Sequence, residues 1–405
     1  MRHRRWGTRL RRRCNTPARS NLRTATAHLE RVTLFASMIE SLHVSGFKLF
    51  RDITLPRLGR LNLFVGENNS GKSCLLEAIN LYAGRTPITD VLQTAAQRSR
   101  ESLRPWDPVD LTEEGTSITH PVFELFNRAD SRFAKNILIE KIGDSNALLV
   151  QCLPHRIVTD EEGFTRYMPV TQGDAIPPEG VEMVLPVYRG DRQVGLVTRR
   201  RLPLMRDRML VGEKFLNGEA LSVAFLAASG FSDEKAASMW DALVQGPGQE
   251  LVLEWLRMLD SRIEDLAYIA GRHGARLALL KLHGQGRIPL RSMGDGLTKL
   301  FHIALAVASA SKGVLLIDEF ENGLHWSVQT KLWAALTKAA GEYNVQVFAT
   351  THSRDCIESF IVGVKDAGPD GASIYRLERK GDDVFAIDLP LLNVNAAMRE
   401  HEEVR

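Results

Sequence analysis

Residues 61–73 read Leu-Asn-Leu-Phe-Val-Gly-Glu-Asn-Asn-Ser-Gly-Lys-Ser, which predicts a short apolar strand, a glycine-bounded loop and the start of a helix. The loop has the spacing G-x-x-x-x-G-K-S, in which curled backbone N–H groups and the helix N-terminus face phosphate groups. We expect Lys72 to neutralise the β- and γ-phosphates and the Ser73 hydroxyl to hold Mg²⁺. The candidate nucleotide-binding residues are Gly66, Glu67, Asn68, Asn69, Ser70, Gly71, Lys72, Ser73 and Cys74.

A second motif, at residues 313–319, reads Gly-Val-Leu-Leu-Ile-Asp-Glu. It predicts a buried strand that ends in the carboxylates of Asp318 and Glu319. In a doubly wound sheet, the carboxyl ends of parallel strands form the ligand-binding edge, where the phosphate-binding loop also lies. We therefore expect Asp318 to reach Mg²⁺, directly or through water, and Glu319 to orient and deprotonate the attacking water. The loop and the acids are expected at adjacent strand ends.

Several other residues have two interpretations each. His352 follows the next apolar strand and is either a structural capping histidine or, as we favour, a group beside the γ-phosphate. Ser292 opens the turn Ser-Met-Gly-Asp-Gly at 292–296 and is either a helix N-cap or part of a second phosphate-binding turn, used in trans. The residues alone leave the Ser292 choice open. Phe47 and Phe50 either stack on adenine or, as we prefer, pack in the core.

The bulk composition limits the class of protein. The 405 residues are 44% hydrophobic and 25% charged, which is ordinary for a globular chain. No apolar run approaches the ~20 residues of a membrane-spanning helix, so we expect no membrane partner. The four cysteines are scattered without a C-x-x-C pair, which argues against a zinc site or a disulfide framework and favours the cytoplasm.

Basic residues are concentrated in two stretches. Residues 1–37 carry ten arginines, one acid and no lysine, so they supply the formal net charge of +3 and leave the remainder mildly acidic. We expect this stretch to be disordered. It is a nucleic-acid-binding arm, an organelle transit segment or, as we favour, an upstream extension with Met38 as the natural start. A second arginine cluster at 199–208 is either a solvated face or a phosphate or nucleic-acid contact.

The motifs also occur in a characteristic order. The loop is followed by the Ser-Met-Gly-Asp-Gly turn, the Leu-Leu-Ile-Asp-Glu strand, Glu-Asn-Gly-Leu-His at 321–325 and Ala-Thr-Thr-His-Ser at 349–353. This order resembles the ABC-class ATPases of the RecF, SMC and OLD group, and most of all the stand-alone prokaryotic proteins labelled AAA family ATPases or ATP-binding proteins. The resemblance runs from Met38 to the C-terminus and is strongest over 61–80 and 286–360.

The resemblance implies roles for these residues. The loop and the Asp-Glu strand are similar to Walker A and Walker B, and His352 to the switch histidine. Ser292 and Gly294 match the ABC-type signature, which contacts the γ-phosphate bound by a partner subunit, and residues 322–325 match the D-loop. Gln93 and Gln97 match the Q-loop glutamine poorly. The implied enzyme is an Mg²⁺-dependent ATPase whose two copies close around ATP as a homodimer.

Alternating strand and helix patterns predict an α/β fold with a mainly parallel central sheet, preceded by N-terminal antiparallel strands. The resemblance implies a P-loop NTPase of the ABC-ATPase type. We expect an N-terminal ATPase lobe at 38–158, an inserted strand and helical subdomain at 159–285 and a C-terminal ATPase lobe at 286–405. Within the insertion, apolar residues at three- and four-residue spacing predict helix between about 214 and 270.

Two biological functions fit this reading. The first is an ATPase acting in DNA repair or in defence against phage or other foreign DNA, by analogy with RecF-like and OLD-like proteins. The second is a nucleotide-dependent module that controls a separately encoded effector protein. A transporter subunit is disfavoured because the signature and D-loop differ from Leu-Ser-Gly-Gly-Gln and Ser-Ala-Leu-Asp. We expect neither a long coiled coil nor a TOPRIM nuclease, since no long heptad pattern or later Asp-x-Asp pair occurs.

Overall fold

The structure is a computed structural model that describes part of the chain. The basic stretch 1–37, the candidate glutamines Gln93 and Gln97 and the arginine cluster at 199–208 lie outside the described residues. Except for Met38, the described residues belong to one unit that begins at Ile39. The described ranges are 38–84, 125–127, 135–159, 165–170, 181–197, 221–244, 246–271, 276–368 and 371–391.

The described residues contain strands in three sheets. In chain order the strands are β1 (Leu42–Phe47), β2 (Phe50–Leu55), β3 (Leu61–Val65), β4 (Lys135–Glu140), β5 (Leu148–Thr159), β6 (Thr165–Pro169), β7 (Val181–Arg189), β8 (Arg192–Val197), β9 (Ser222–Leu226), β10 (Ile263–Ala270), β11 (Arg276–Leu282), β12 (Arg287–Pro289), β13 (Gly313–Ile317), β14 (Gln346–Thr351), β15 (Ala372–Lys380) and β16 (Asp383–Asp388). A small antiparallel sheet joins β10, β11 and β12.

The central sheet carries the phosphate-binding loop at its carboxyl edge. Its strand order is β16-β15-β3-β14-β13-β9, and all neighbours are parallel except the pair β15–β16. Every residue of β3, β13 and β14 is buried, as expected for parallel strands that are covered on both faces. The structure thus confirms the predicted α/β fold with a mainly parallel central sheet.

A second large sheet is antiparallel and lies over one face of the central sheet. Its order is β2-β1-β4-β5-β7-β8, with β6 paired to β5. Residues on one side of the central strands, such as Phe64, Val314 and Leu316, share a core with this sheet. The two strands at the start of the described chain, β1 and β2, are antiparallel as predicted.

Helices pack on the other face of the central sheet, except for the helix that follows the loop. Leu63, Val65 and Ile317 contribute to this second core. The first helix, α1, instead packs in the core shared with the antiparallel sheet. The helices are α1 (Lys72–Ala83), α2 (Asp233–Leu243), α3 (Pro247–Arg257), α4 (Asp295–Ser309), α5 (Trp326–Glu342) and α6 (Arg354–Gly363), with 3₁₀ turns at Leu290–Met293 and Lys365–Ala367.

The helix predicted between about 214 and 270 is wrong in two places. The described part of this segment begins with β9, an edge strand of the central sheet, and ends with β10. In β10 a register shift between Ile263 and Asp265 interrupts the alternation, so the buried residues Ile263 and Leu266 stand three apart, as in a helix. Arg257 ends α3 and donates to the carbonyl oxygens of Ile263 and Glu264 across the turn. The proposed boundaries of the insertion stay a prediction.

Helix α4 is the most deeply packed helix of the second core and buries a histidine. His302 is 9% exposed, and its ring contacts the rings of Phe231 and Phe301 at centroid distances of 5.5 and 5.8 Å. The backbone N–H of Phe231 donates to His302 Nδ1 over 3.4 Å, so the neutral ring serves as an acceptor there. Burial, together with the nearby charge of Lys299, lowers the pKa of His302 to about 4.

Lowering the pH from 6.5 to about 4 is expected to destabilise the fold through His302. The unfolded ring protonates near its ordinary pKa of 6.5, whereas the folded ring stays neutral down to about 4. The unfolded state therefore binds more protons in this window, and the free energy of unfolding falls by up to about 3 kcal/mol. Urea unfolding of His302→Asn, which does not titrate, should show a shallower pH dependence. An unchanged slope would contradict this account.

Candidate active site

The phosphate-binding loop requires a glycine at its first position. Gly66 has a φ of 146°, and a Cβ on it would lie 2.5 Å from the carbonyl oxygen of Leu377 and 2.9 Å from Ser70 Oγ. The loop therefore packs directly against the neighbouring strand β15. Gly71 (φ 100°) is the N-cap of α1 and lies against the ring of Phe50. Because Phe47 and Phe50 are fully buried, the core interpretation of both aromatics is confirmed.

The loop lysine is buried and points back over its own loop. Lys72 Nζ donates to the carbonyl oxygens of Gly66 (2.8 Å) and Glu67 (2.7 Å). Burial lowers the pKa of Lys72, and the carboxylates of Asp318, Glu321, Glu319 and Glu67 oppose that shift. Of the other loop residues, Glu67, Asn68 and Asn69 are exposed, whereas Ser70 and Cys74 are buried.

Asp318 joins the loop to the Asp-Glu strand. Asp318 Oδ1 accepts a hydrogen bond from Ser73 Oγ (3.0 Å) and one from Thr350 Oγ1 (2.7 Å). The loop and the acids do not lie at adjacent strand ends, because β14 runs between β3 and β13. Two strand spacings amount to about 10 Å, and the side chains of Ser73, Asp318 and Thr350 bridge this gap. The predicted meeting of Ser73 and Asp318 is therefore present despite the wrong strand order.

The Ser73 and Asp318 oxygens suit the proposed metal. Mg²⁺ prefers oxygen ligands and is commonly held by one or two protein groups together with substrate phosphates. Within the described part of the chain, no group of three His, Cys, Asp or Glu side chains is placed to hold a metal alone. The hydroxyl and carboxylate therefore fit a magnesium ion bound jointly with a nucleotide.

Glu319 adopts a strained backbone conformation that several groups hold. Its φ is 49°, in the left-handed region that residues with a Cβ rarely adopt. Its N–H donates to Thr350 Oγ1 (2.8 Å), and its carbonyl oxygen accepts from Lys299 Nζ (3.2 Å). Its side-chain Oε2 accepts from Asn322 Nδ2 over 3.1 Å. Burial lowers the pKa of Lys299, while the carboxylates of Glu321, Asp318 and Glu319 oppose the shift.

His352 lies at the carboxyl end of β14, beside Glu321. Its backbone N–H donates to Glu321 Oε1 over 2.9 Å, and its ring Nδ1 lies 3.2 Å from the same oxygen. The ring is about half exposed, whereas Glu321 is nearly buried. The helix that follows is capped by Ser353, whose side chain accepts from the N–H of Cys356. His352 therefore does not cap α6, and its place beside the γ-phosphate stays a prediction.

The turn at 292–296 is exposed and adjoins the segment 322–325. Ser292 lies in the 3₁₀ turn, and Gly294 is the N-cap of α4, so the N-cap interpretation of Ser292 is wrong. Ser292 and Gly294 are both exposed, and a Cβ on Gly294 would meet no described atom within 4 Å. A Cβ on Gly296 would lie 3.1 Å from the carbonyl oxygen of Gly323, so the two segments are in contact.

Three residues of this site were not predicted from the sequence: Thr350, Lys299 and Glu321. Thr350 was one of several polar residues at the end of a strand, and Glu321 was one member of a longer motif. Lys299 carried the clearest signal, since it is the one charge in the apolar run 299–308 of α4. A lone buried lysine requires nearby acceptors or acids, which points to a polar site on its side of the helix.

The sheet, the loop and the paired acids define a P-loop ATPase. A family model described as "AAA domain, putative AbiEii toxin, Type IV TA system" matches residues 109–355, and a second model, "AAA ATPase domain", matches 38–119. The chain belongs to the first of these families, whose model covers more than half of it. It is an ATP-hydrolysing enzyme of the P-loop type.

Two curated relatives are similar in sequence. An "ATP/GTP phosphatase" of Helicobacter pylori is 24% identical over 351 residues, which cover 79% of this chain and 87% of the relative. An uncharacterised protein of Methanocaldococcus jannaschii is 35% identical over 94 residues, covering 23% of this chain and 82% of that protein. The larger match spans most of both chains.

Two solved structures are similar in fold over most of the chain. One is an SmcHead bound to the C-winged helix domain of ScpA, with a TM-score of 0.46, 15% identity and coverage of 89% of this chain and 99% of that one. The other is the SMC head domain from Thermotoga maritima, with a TM-score of 0.39, 14% identity and coverage of 86% and 98%. None of the described helices is both long and apolar enough to span a membrane.

Replacing Gly66 with alanine is expected to damage both stability and nucleotide binding. The new Cβ would collide with the Leu377 carbonyl oxygen at a φ that alanine avoids. We expect a loss of about 1–3 kcal/mol in the free energy of unfolding. Binding of a fluorescent ATP analogue and urea unfolding measure the two effects. Gly286→Ala is the matched control, since its Cβ would meet no described atom within 4 Å. Equal behaviour of the two variants would contradict the packing argument.

Proposed function

We propose that two copies of the chain bind ATP and Mg²⁺ between them and hydrolyse the nucleotide. The hydrogen-bonded series Ser73–Asp318–Thr350–Glu319 carries this proposal, because it brings the loop and both acids to one point. Lys72 would contact the β- and γ-phosphates, and Ser73 and Asp318 would hold Mg²⁺. Mg²⁺, when bound, supplies positive charge that stabilises the phosphate oxygens.

The proposed chemical step requires a proton acceptor, and this chain supplies Glu319. Glu319 would orient a water molecule and take its proton as the water oxygen bonds to the γ-phosphorus. The bond from that phosphorus to the bridging oxygen breaks, which yields ADP and phosphate. Asn322 holds the Glu319 carboxylate from one side. His352, at the end of β14, would contact the γ-phosphate.

The second copy would complete each site. The exposure of Ser292 and Gly294, together with the contact between Gly296 of the same turn and Gly323, supports a composite site of this kind. Ser292 of the partner subunit would then reach the γ-phosphate held by Lys72 and Ser73. ATP would stabilise the closed pair because it binds that state in preference to the open one. Hydrolysis would release the two copies.

We propose that the protein acts in the cytoplasm, in DNA repair or in defence against foreign DNA. The family description refers to a toxin–antitoxin system, which supports a defence role. It also favours the second candidate, a nucleotide-dependent module that controls a separately encoded effector, because such a system has two components. The two candidates differ in whether DNA or a protein is the direct partner.

The dimer proposal predicts opposite results for two variants. Glu319→Gln keeps the nucleotide contacts but removes the proton acceptor, so it should bind ATP and accumulate as a dimer with ATP and Mg²⁺. Lys72→Ala should bind no ATP and remain monomeric. Size-exclusion chromatography with light scattering, with and without ATP and with EDTA in place of Mg²⁺, measures both. A Glu319→Gln protein that binds ATP but remains monomeric would contradict the composite-site proposal.

The choice between DNA and protein partners also has a direct test. If DNA is the partner, the Glu319→Gln protein with ATP should retard linear duplex or single-stranded DNA in a gel, whereas Lys72→Ala should not. If an effector is the partner, no DNA is retarded. Instead, the protein encoded by a neighbouring gene co-purifies with Glu319→Gln in ATP and dissociates without nucleotide. Absence of both results would contradict both candidates.

A further inference from the structure

The backbone of Glu319 is strained, so contacts from other residues must stabilise its conformation. Its φ of 49° places a residue with a Cβ in the left-handed region, at a conformational cost that neighbouring contacts must offset. Strain of this kind collects at functional sites when surrounding groups enforce it. The relevant contacts are therefore those made to the peptide groups of Glu319.

Two buried side chains from different elements hold the two sides of this residue. Thr350, which is fully buried in β14, accepts the Glu319 N–H over 2.8 Å. Lys299, which is 6% exposed on α4, donates from Nζ to the Glu319 carbonyl oxygen over 3.2 Å. The N–H of Asn322 donates to the same oxygen over 3.1 Å, within the following turn. Neither Thr350 nor Lys299 belongs to the segment that it holds.

The Thr350 hydroxyl also fixes Asp318. Because its oxygen accepts from the Glu319 N–H, its single hydrogen remains for Asp318 Oδ1, which lies 2.7 Å away. The Thr350 hydroxyl thus positions Asp318 by donating a hydrogen bond to its carboxylate, and it positions Glu319 by accepting one from its backbone N–H. A valine at this position keeps nearly the same shape but provides neither interaction.

We propose that Thr350 and Lys299 are positioning residues that hold the peptide of Glu319 so that its carboxylate stays beside the attacking water. The proposal rests on the role proposed for Glu319 as proton acceptor. Lys299 stands on α4, whose first turn follows Ser292 and Gly294. The location of the proton acceptor therefore depends on the same helix that begins at the turn proposed to face the second copy.

The test compares Thr350→Val, Thr350→Ser and Lys299→Met with the wild-type protein. Thr350→Val and Lys299→Met should lower kcat roughly 10- to 100-fold, since a misplaced catalytic group costs rates of this order. In Lys299→Met, KM and the affinity for a fluorescent ATP analogue should change much less, because Lys299 donates to the backbone of Glu319 rather than to the loop. In Thr350→Val the affinity for the analogue should change little in EDTA, whereas the affinity for Mg²⁺–ATP should also fall, because Thr350 fixes Asp318, which is proposed to hold Mg²⁺. Thr350→Ser keeps the hydroxyl and should retain most of the wild-type kcat.

Matched controls separate positioning from general packing. Thr337→Val removes another threonine hydroxyl, which donates to the Trp333 carbonyl oxygen within α5. Lys338→Met removes an exposed ammonium group on the same helix. Both controls should keep the wild-type kcat. Equal losses in Thr350→Val and Thr350→Ser, or no loss in Thr350→Val, would overturn the proposal for Thr350, and wild-type kcat in Lys299→Met would overturn it for Lys299.

Hydrogen–deuterium exchange supplies a readout that does not depend on turnover. In the nucleotide-free protein, a peptide covering residues 313–321 should exchange faster in Thr350→Val, because the Glu319 amide has lost its acceptor. Thr337→Val should leave that peptide unchanged. Unchanged exchange in Thr350→Val would overturn the proposal. If Glu319→Gln instead hydrolyses ATP at the wild-type rate, the proposed role of Glu319 fails, while the exchange result still decides whether Thr350 holds its peptide.

Discussion

The carboxylate of Asp318 is the point at which the separate parts of this enzyme meet. Its Oδ1 atom accepts from Ser73, at the start of α1, and from Thr350, in β14, while Asp318 itself follows β13. A partly buried carboxylate of this kind is costly unless donors satisfy it. The two hydroxyl groups supply that satisfaction, and in doing so they set the distance between the loop and the paired acids.

The helical layer takes part in the same arrangement. Lys299 reaches from α4 to the carbonyl oxygen of Glu319, and its positive charge faces the acids of the site. The antiparallel sheet contributes differently, since Phe50 of β2 supports Gly71 at the N-terminus of α1. The antiparallel-sheet face thus supports the nucleotide loop through Phe50, and the helical face supports Glu319 through Lys299.

Much of this architecture follows from the sequence, because its strongest signals are local. The apolar runs of β3 and β13, the glycines of the loop and the acids after Ile317 all act within a few residues of the chain, and the structure contains the predicted strands and helices there. The spatial order of strands is not a local property, so the insertion of β14 between β3 and β13 was not foreseen. The pairing with β11 also produces the irregular register of β10, which spaces its buried residues as in a helix.

The packing of Gly66 against Leu377 has a consequence for biosynthesis. Strand β3 lies between β14 and β15, so its two hydrogen-bonding neighbours are encoded roughly 280–310 residues after it. During translation, the nascent loop has neither neighbour until β14 and β15 have also left the ribosome. A chain that ends before β15 lacks the strand whose Leu377 carbonyl oxygen packs against Gly66, so the loop cannot reach its final packing until β15 has been synthesised.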